Sequence, residues 1–260
     1  MDANFFDQAE FADNPEPRCP VVLALDTSGS MQGSPILELN EGLRAFAGAL
    51  RSDRLASLRV EIAVIAFGGK VRALDVRGVG GEGSGEIVRF NPMGLAIRPK
   101  VNEVPFDAHQ DFVTVDRFQP PVLDAGGDTP LGEAVSRGLA LLRERKEIYK
   151  QNGMDYFRPW IFTITDGRPT DKGWEAVAEQ VRQEEARKGI VFYGVGVEGA
   201  DLKVLGRFTD ARAPLRLKGL AFNELFNWLS KSLSVIAHSR PGEQAPLPPV
   251  GWGSIDTSHS

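Results

Sequence analysis

A doubly wound α/β fold, with a mostly parallel central sheet and helices on both faces, is what this sequence predicts, and three observations carry the prediction. Short apolar runs recur at 20–25, 60–67, 159–165 and 190–197. Runs of that length with little polar alternation read as strands buried on both faces. Between and after them stand stretches with apolar residues at helical spacing, at 34–50, 131–150, 172–188 and 221–237, and strands alternating with helices give a parallel sheet covered on both sides. The first run also ends abruptly in the small, oxygen-rich stretch Asp26-Thr27-Ser28-Gly29-Ser30. In open α/β sheets, ligands bind outside the carboxyl ends of the strands.

In chain order, residues 1–18 are an acidic lead-in with Phe5, Phe6 and Phe11 spaced along it, expected to be extended and to pack by its aromatics. The domain proper is expected over 19–238. Val21 to Leu25 forms the first strand, and Ser34-Pro35 supplies an N-cap and a first-turn proline for the helix carrying Ile36, Leu39, Leu43, Phe46 and Leu50. Val60 to Phe67 is the second strand, and Gly68-Gly69 turns it into a short antiparallel edge strand, Val71 to Val76. Residues 77–110 lose periodicity and read as an insertion with a small hairpin of its own, because a structureless loop of that length is uncommon in a compact domain. Phe112 to Phe118 is a strand or edge segment. Gly126-Gly127-Asp128-Thr129-Pro130 feeds the helix near 131–150, and the strand 159–165 ends in Asp166-Gly167. A helix near 172–188, a strand from Ile190 to Val197, a short helix near 201–207 and an edge strand at Leu215 to Leu217 lead to the last helix, about 221–237. Residues 239–260 form a Pro/Gly-rich tail, expected to be extended.

Composition excludes several function classes. The 260 residues are 42% hydrophobic and 25% charged, ordinary for a globular protein, and the net charge of -5 gives no electrostatic reason for a nucleic-acid partner. No apolar run approaches the roughly 20 residues that span a bilayer. Residues 1–16 carry five acidic and no basic side chains, unlike a signal peptide, so a cytoplasmic location and no membrane association are expected. The single cysteine, Cys19, forms no internal disulfide and no cysteine-based zinc site, and reads as a small buried residue. His109, His238 and His259 are scattered without metal spacing.

Three strand-end loops carry oxygen donors: Asp26, Ser28 and Ser30 in the first, Thr129 in the second, Asp166 in the third. Carboxylate, hydroxyl and water oxygens suit a hard divalent cation. The Asp-x-Ser-x-Ser, Thr, Asp set resembles the metal-ion-dependent adhesion site (MIDAS) of von Willebrand factor A (VWA) domains, in order and strand placement, across roughly residues 18–237. A narrower resemblance is to TerY-type tellurite-resistance proteins. It is carried by Asn14-Pro15-Glu16-Pro17-Arg18-Cys19-Pro20, Tyr156-Phe157-Arg158-Pro159-Trp160, the run Thr165 to Asp171, the run Gly194 to Asp201, Phe226-Asn227-Trp228-Leu229-Ser230 and the ending with Gly251-Trp252. Residues 77–110 depart from that family's shorter connection. The resemblance implies Mg2+ (or Mn2+) held by Ser28, Ser30 and Thr129, with Asp26 and Asp166 acting directly or through water. It implies a protein partner that offers a Glu or Asp carboxylate, and a stress-response setting with a protein kinase and a PP2C-type phosphatase. The protein is then a binding module and not an enzyme.

Plainer readings stand beside these. Asp26 can cap its own turn, Thr129 can cap the next helix and ligate as well, Asp128 reads as a solvated loop residue, and Asp171 reads as the N-cap of the helix near Lys172. Gly78-Val79-Gly80-Gly81 is a weak phosphate loop, since no helix clearly follows it. Two other functions are open. A metal-dependent phosphoesterase would use the same carboxylates, but Asp26 has no Asp at i+2 and no suitably placed Lys or His is evident. A kinase substrate would use Ser254, Thr257, Ser258 or Ser260. Pro246-Leu247-Pro248-Pro249 docks in an aromatic groove, packs on its own domain or stays mobile.

Overall fold

The computed structural model describes residues 10–77, 89–90, 96–97 and 103–255. Its main sheet has the order β11-β10-β9-β8-β1-β2-β3-β6, with β7 pairing β2 beside β3. The parallel centre is β1 (Cys19–Asp26), β2 (Val60–Gly68), β8 (Trp160–Thr165), β9 (Val191–Gly196) and β10 (Leu215–Leu217). The expected antiparallel strand after Gly68-Gly69 is β3 (Lys70–Leu74). Three short antiparallel strands join it: β6 (Glu103–Val104) on β3, β7 (Val113–Thr114) on β2, and β11 (Gly253–Ile255) on β10. Leu215–Leu217 is therefore not the edge strand expected from the sequence, because the C-terminal segment returns to cover it. Within the insertion, β4 (Arg89–Phe90) and β5 (Ala96–Ile97) form a two-stranded antiparallel pair, and the glycine run 78–85 lies outside the described residues.

Alternation along the central strands divides the core. Val21, Leu23 and Leu25 point toward α1 (Ser34–Arg51) and α6 (Phe222–Ala237), while Val22 and Ala24 point toward α3 (Leu131–Gln151) and α4 (Trp174–Ala186). Each fully buried Leu or Val contributes about 1.5–3 kcal/mol, which is why β1, apolar on both faces, lies at the centre. The small helices α2 (Arg54–Arg59) and α5 (Leu202–Leu205) precede β2 and β10. Ser34 is the first helical residue of α1 and not its cap; Gly33 takes that place with φ +86°. Among the described residues, no helix is long and apolar enough to cross a membrane.

The lead-in is helical at residues 10–13 where an extended segment was expected, and Phe5 and Phe6 lie outside the described residues. Phe11 does pack by its ring, buried between the guanidinium groups of Arg18 and Arg145 at 5.4 Å from each. Those two arginines meet Glu61 in the interior, at the end of the sheet away from the loops. Arg145 holds both Glu61 carboxylate oxygens, at 2.9 and 3.0 Å, and Tyr149 donates its hydroxyl to Oε2. Arg18 Nε lies 2.8 Å from Oε1, an ionic contact without good hydrogen-bond alignment, and its Nη atoms bond the carbonyls of Asn14 and Glu16. Burial alone would depress the Arg145 guanidinium, but the Glu61 charge holds it above its ordinary value.

Candidate metal centre

The chain turns from β1 into the first loop where β1 is flanked by β2 on one side and β8 on the other, the point where strand order reverses. Backbone bonds then tie the loops together. Gly29 N–H donates to Gly127 O at 2.9 Å, Gly126 N–H to Thr27 O at 2.7 Å, Gly69 N–H to Asp128 O at 2.8 Å, and Thr170 N–H to Thr129 O at 2.9 Å. Two glycines permit this closeness. A Cβ on Gly68 would stand 2.2 Å from Thr27 O, and Gly127 holds φ +81° with its Cα facing Gly69, where a Cβ would come within 2.5 Å.

The five predicted donors lie on these loops, and four of them are joined by hydrogen bonds or by their neighbours. Asp26, fully buried, accepts from its own loop at Ser28 N–H (2.8 Å) and from the Thr165 hydroxyl. The Ser30 hydroxyl donates to Asp166 Oδ1 at 2.8 Å, so its proton is committed there, and the 3.1 Å bond between Ser28 Oγ and Ser30 Oγ is donated by Ser28. Thr129 stands across from Asp166-Gly167: a Cβ on Gly167 would come 3.1 Å from its Oγ1. Ser28 and Thr129 are buried, Ser30 is exposed and Asp166 half-buried, so the cluster opens outward on the Ser30–Asp166 side. Burial pushes the Asp26 carboxyl up to about 6, against the hydrogen bonds from Ser28 and Thr165, and raises Asp166 as well.

Helix capping is arranged differently from the expectation, and the difference frees a donor. Thr129 does not cap α3; Pro130 occupies the cap position with no side-chain bond. Asp171 reaches across from the third loop and accepts from the N–H groups of Gly132 (3.2 Å) and Glu133 (2.8 Å). It therefore caps α3 and not its own helix α4, whose cap position is Gly173. Relieved of capping, the Thr129 hydroxyl makes no hydrogen bond among the described residues, while its backbone N–H is held by Thr170 Oγ1 at 3.1 Å. Asp171→Ala is expected to cost about 1 kcal/mol of stability, the ordinary loss for a cap, seen as a lower urea midpoint with unchanged slope. A loss under a few tenths would show that the two N–H groups do not need the carboxylate.

Two contributors escaped the sequence reading. Thr165 looked like the last residue of a buried strand, although a hydroxyl interrupting an apolar run beside Asp166 was the available signal. Arg72 donates from Nη2 to Thr27 Oγ1 at 3.1 Å, and nothing in its own segment announced that. The donor set is two carboxylates and three hydroxyls, with no nitrogen or sulfur, which fits a hard cation such as Mg2+ or Mn2+ and not a zinc site. No cluster of three or more His, Cys, Asp or Glu side chains that could hold a metal occurs among the described residues.

The sequence matches no protein-family model and no curated protein. Solved structures are similar in fold. The pilus adhesin SpaC from Lactobacillus rhamnosus GG, in its open conformation, aligns over 85% of this chain and 30% of its own, at 15% identity and TM-score 0.54. The human COPII-coat protein Sec24c aligns over 87% of this chain and 34% of its own, at 10% identity and TM-score 0.50. The chain has a VWA-type fold. The manganese-loaded TRAP protein of Plasmodium vivax is also similar, at 15% identity over 80% of this chain and 73% of that one, with TM-score 0.46. This chain spans about a third of the length of SpaC and Sec24c. Its sheet order puts the oxygen cluster at the carboxyl ends of β1 and β8.

Proposed function

We propose that this VWA domain is a divalent-cation-dependent protein-binding module, with Ser28, Ser30 and Thr129 as hydroxyl donors and Asp26 and Asp166 as the carboxylates of a MIDAS. The observation that carries the reading is the convergence of oxygen donors from three loops, with one hydroxyl, that of Thr129, making no hydrogen bond among the described residues. Bound there, Mg2+ or Mn2+ supplies a positive centre with an exchangeable position for an incoming carboxylate. The protein's own part is orientation. Ser28 N–H and Thr165 fix the Asp26 carboxylate, and the Ser28–Ser30–Asp166 chain keeps the outer donors together at the open side. The partner supplies a Glu or Asp.

In this reading the site is not catalytic. Among the described residues no lysine or histidine hydrogen-bonds to any of the five donors, and Arg72 is committed to Thr27 behind the loop. That supports a binding role over phosphoester hydrolysis, which needs a poised acid or base. The resemblance to TerY-type proteins extends the proposal to a cytoplasmic tellurite-resistance or stress-response scaffold working beside a kinase and a PP2C-type phosphatase.

The test is capture of the products of neighbouring genes on the immobilised protein in Mg2+ and in EDTA. A partner retained in Mg2+, released by EDTA, and weakened at least 10-fold by Thr129→Ala is the expected result. Retention of the same partner in EDTA, or by the variant, would refute the metal-dependent reading.

A further inference from the structure

The C-terminal segment leaves α6 through an exposed turn at residues 240–243, where Gly242 takes φ +85°, and then runs back over the domain. It has no helix. Residues 240–251 are exposed or half-buried, and Trp252 is the anchor, 4% exposed. Beneath it lies an aromatic floor: Trp160 and Tyr193 are 5.0 Å apart, Tyr193 meets Trp228 edge-on at 5.6 Å, and Trp228 meets Trp252 edge-on at 5.6 Å.

The polar contacts are nearly all to main chain. Trp228 Nε1–H donates to Pro248 O at 2.8 Å, and Lys218 donates from its backbone N–H to Trp252 O and from Nζ to Gly251 O, both at 3.1 Å. The segment then pairs with β10 over three residues, Gly253 to Ile255 against Leu217 to Leu215. Indole N–H to a proline carbonyl, one aromatic anchor and strand addition to a sheet edge are how domains recognise extended, proline-flanked peptides from other chains. Trp252 joins the apolar cluster of β1, α1 and α6, with Leu247 packed against it, while β8, β1 and β2 are themselves covered by α1, α6, α3 and α4.

We propose that β10, Trp228 and Tyr193 form a second interaction site, separate from the oxygen cluster, for an extended proline-flanked peptide carrying one tryptophan. The chain's own residues 246–255 fill this site as a competing ligand in cis. Main-chain bonding to β10 supplies affinity without regard to sequence, and the Trp252 position supplies selectivity. A tail that would bind the open site at about 10 µM as a free peptide, tethered at an effective concentration on the order of 1 mM, weakens any partner peptide about 100-fold in the intact chain. The tail thus sets a threshold that a partner must exceed, and it covers an otherwise open sheet edge.

The experiment uses the full chain with a protease recognition sequence inserted between Gly242 and Glu243, folded first and then cut. The probe is a fluorescent peptide of residues 244–255, followed by anisotropy. Expected are exchange of the cut tail for the probe, micromolar affinity for the cut protein, about 100-fold weaker binding to the uncut protein, and loss of binding when the probe carries Trp252→Ala. Far-UV circular dichroism of the cut protein separates the alternatives. A cut protein that unfolds or aggregates on losing its tail makes the segment part of the core and overturns the proposal. So do a folded cut protein that binds no probe, and equal affinity before and after cutting. A second variant, Trp228→Phe, keeps an aromatic ring, smaller than indole, and removes the N–H that holds Pro248; a fall in probe affinity of about 5-fold or more is expected, and no change counts against the site.

Discussion

Replacing Glu61 with glutamine is expected to lower the unfolding free energy by roughly 3–5 kcal/mol, the loss seen when one partner of a buried ion pair is removed. Glu61, Arg18 and Arg145 are all fully buried, and one carboxylate serves both guanidinium groups and the Tyr149 hydroxyl. Glutamine has the same size, so the substitution tests charge and not packing. It leaves two buried cations facing a neutral amide whose N–H2 group points donors at donors. The loss also reaches the lead-in, since Arg18 holds the carbonyls of Asn14 and Glu16 and stacks with Arg145 about Phe11. Urea unfolding reads the effect as a lower midpoint. Glu147→Gln is the control: its partner Lys150 is exposed, and pairs of that kind contribute about 0–1 kcal/mol. Equal losses in the two variants would show that the interior network does not behave as buried charge.

Asp26→Asn is expected to change sign with the metal. Burial raises the Asp26 carboxyl to about 6 from an unfolded value near 3.8, so its ionised form opposes folding. The stability it contributes is fully present below pH about 4 and is lost as pH rises through about 6. At pH 7 without divalent ions, the neutral amide is therefore expected to stabilise the fold, by about 3 kcal/mol, at about 1.4 kcal/mol for each pH unit between 3.8 and about 6. With Mg2+ the order reverses. The unsubstituted protein gains about 4.1 kcal/mol at a metal concentration about 1,000 times its dissociation constant, and the variant, lacking the charge, gains little. Melting temperatures at pH 7 in EDTA and in excess Mg2+ give all four values. Metal affinity is also expected to weaken below pH about 6, as Asp26 takes up a proton that competes with the cation. A wild-type melting point indifferent to Mg2+, or a variant that responds equally, would remove Asp26 from the site.

Much of the architecture was legible in the chain because its signals are local. The apolar runs of β1, β2, β8 and β9 and the helical spacing of α1, α3, α4 and α6 each report which faces are buried, and burial fixes element type. Two of the errors fell where a distant segment decides the outcome, and a third at a single neighbouring residue. Leu215–Leu217 reads as an edge until residues 253–255 return to pair with it. Asp171 reads as the cap of the helix that follows it, but the fold brings the N-terminus of α3 closer to its carboxylate. Ser34 reads as a cap by type, while Gly33, with its left-handed backbone, makes the turn.

The sequence by itself determined the alternating pattern of the sheet, the three strand-end loops and the oxygen chemistry at Asp26, Ser28, Ser30, Thr129 and Asp166. Those follow from residue type and from spacing along one segment. The tertiary structure alone decided that Asp171 caps α3 and leaves the Thr129 hydroxyl free, that Thr165 holds Asp26, that Glu61 answers two arginines, and that Trp252 folds back on Trp228. Each of these joins groups between 24 and 139 residues apart. No local pattern encodes such a meeting, because packing two sheet faces and a returning tail sets which side chains come within hydrogen-bond reach.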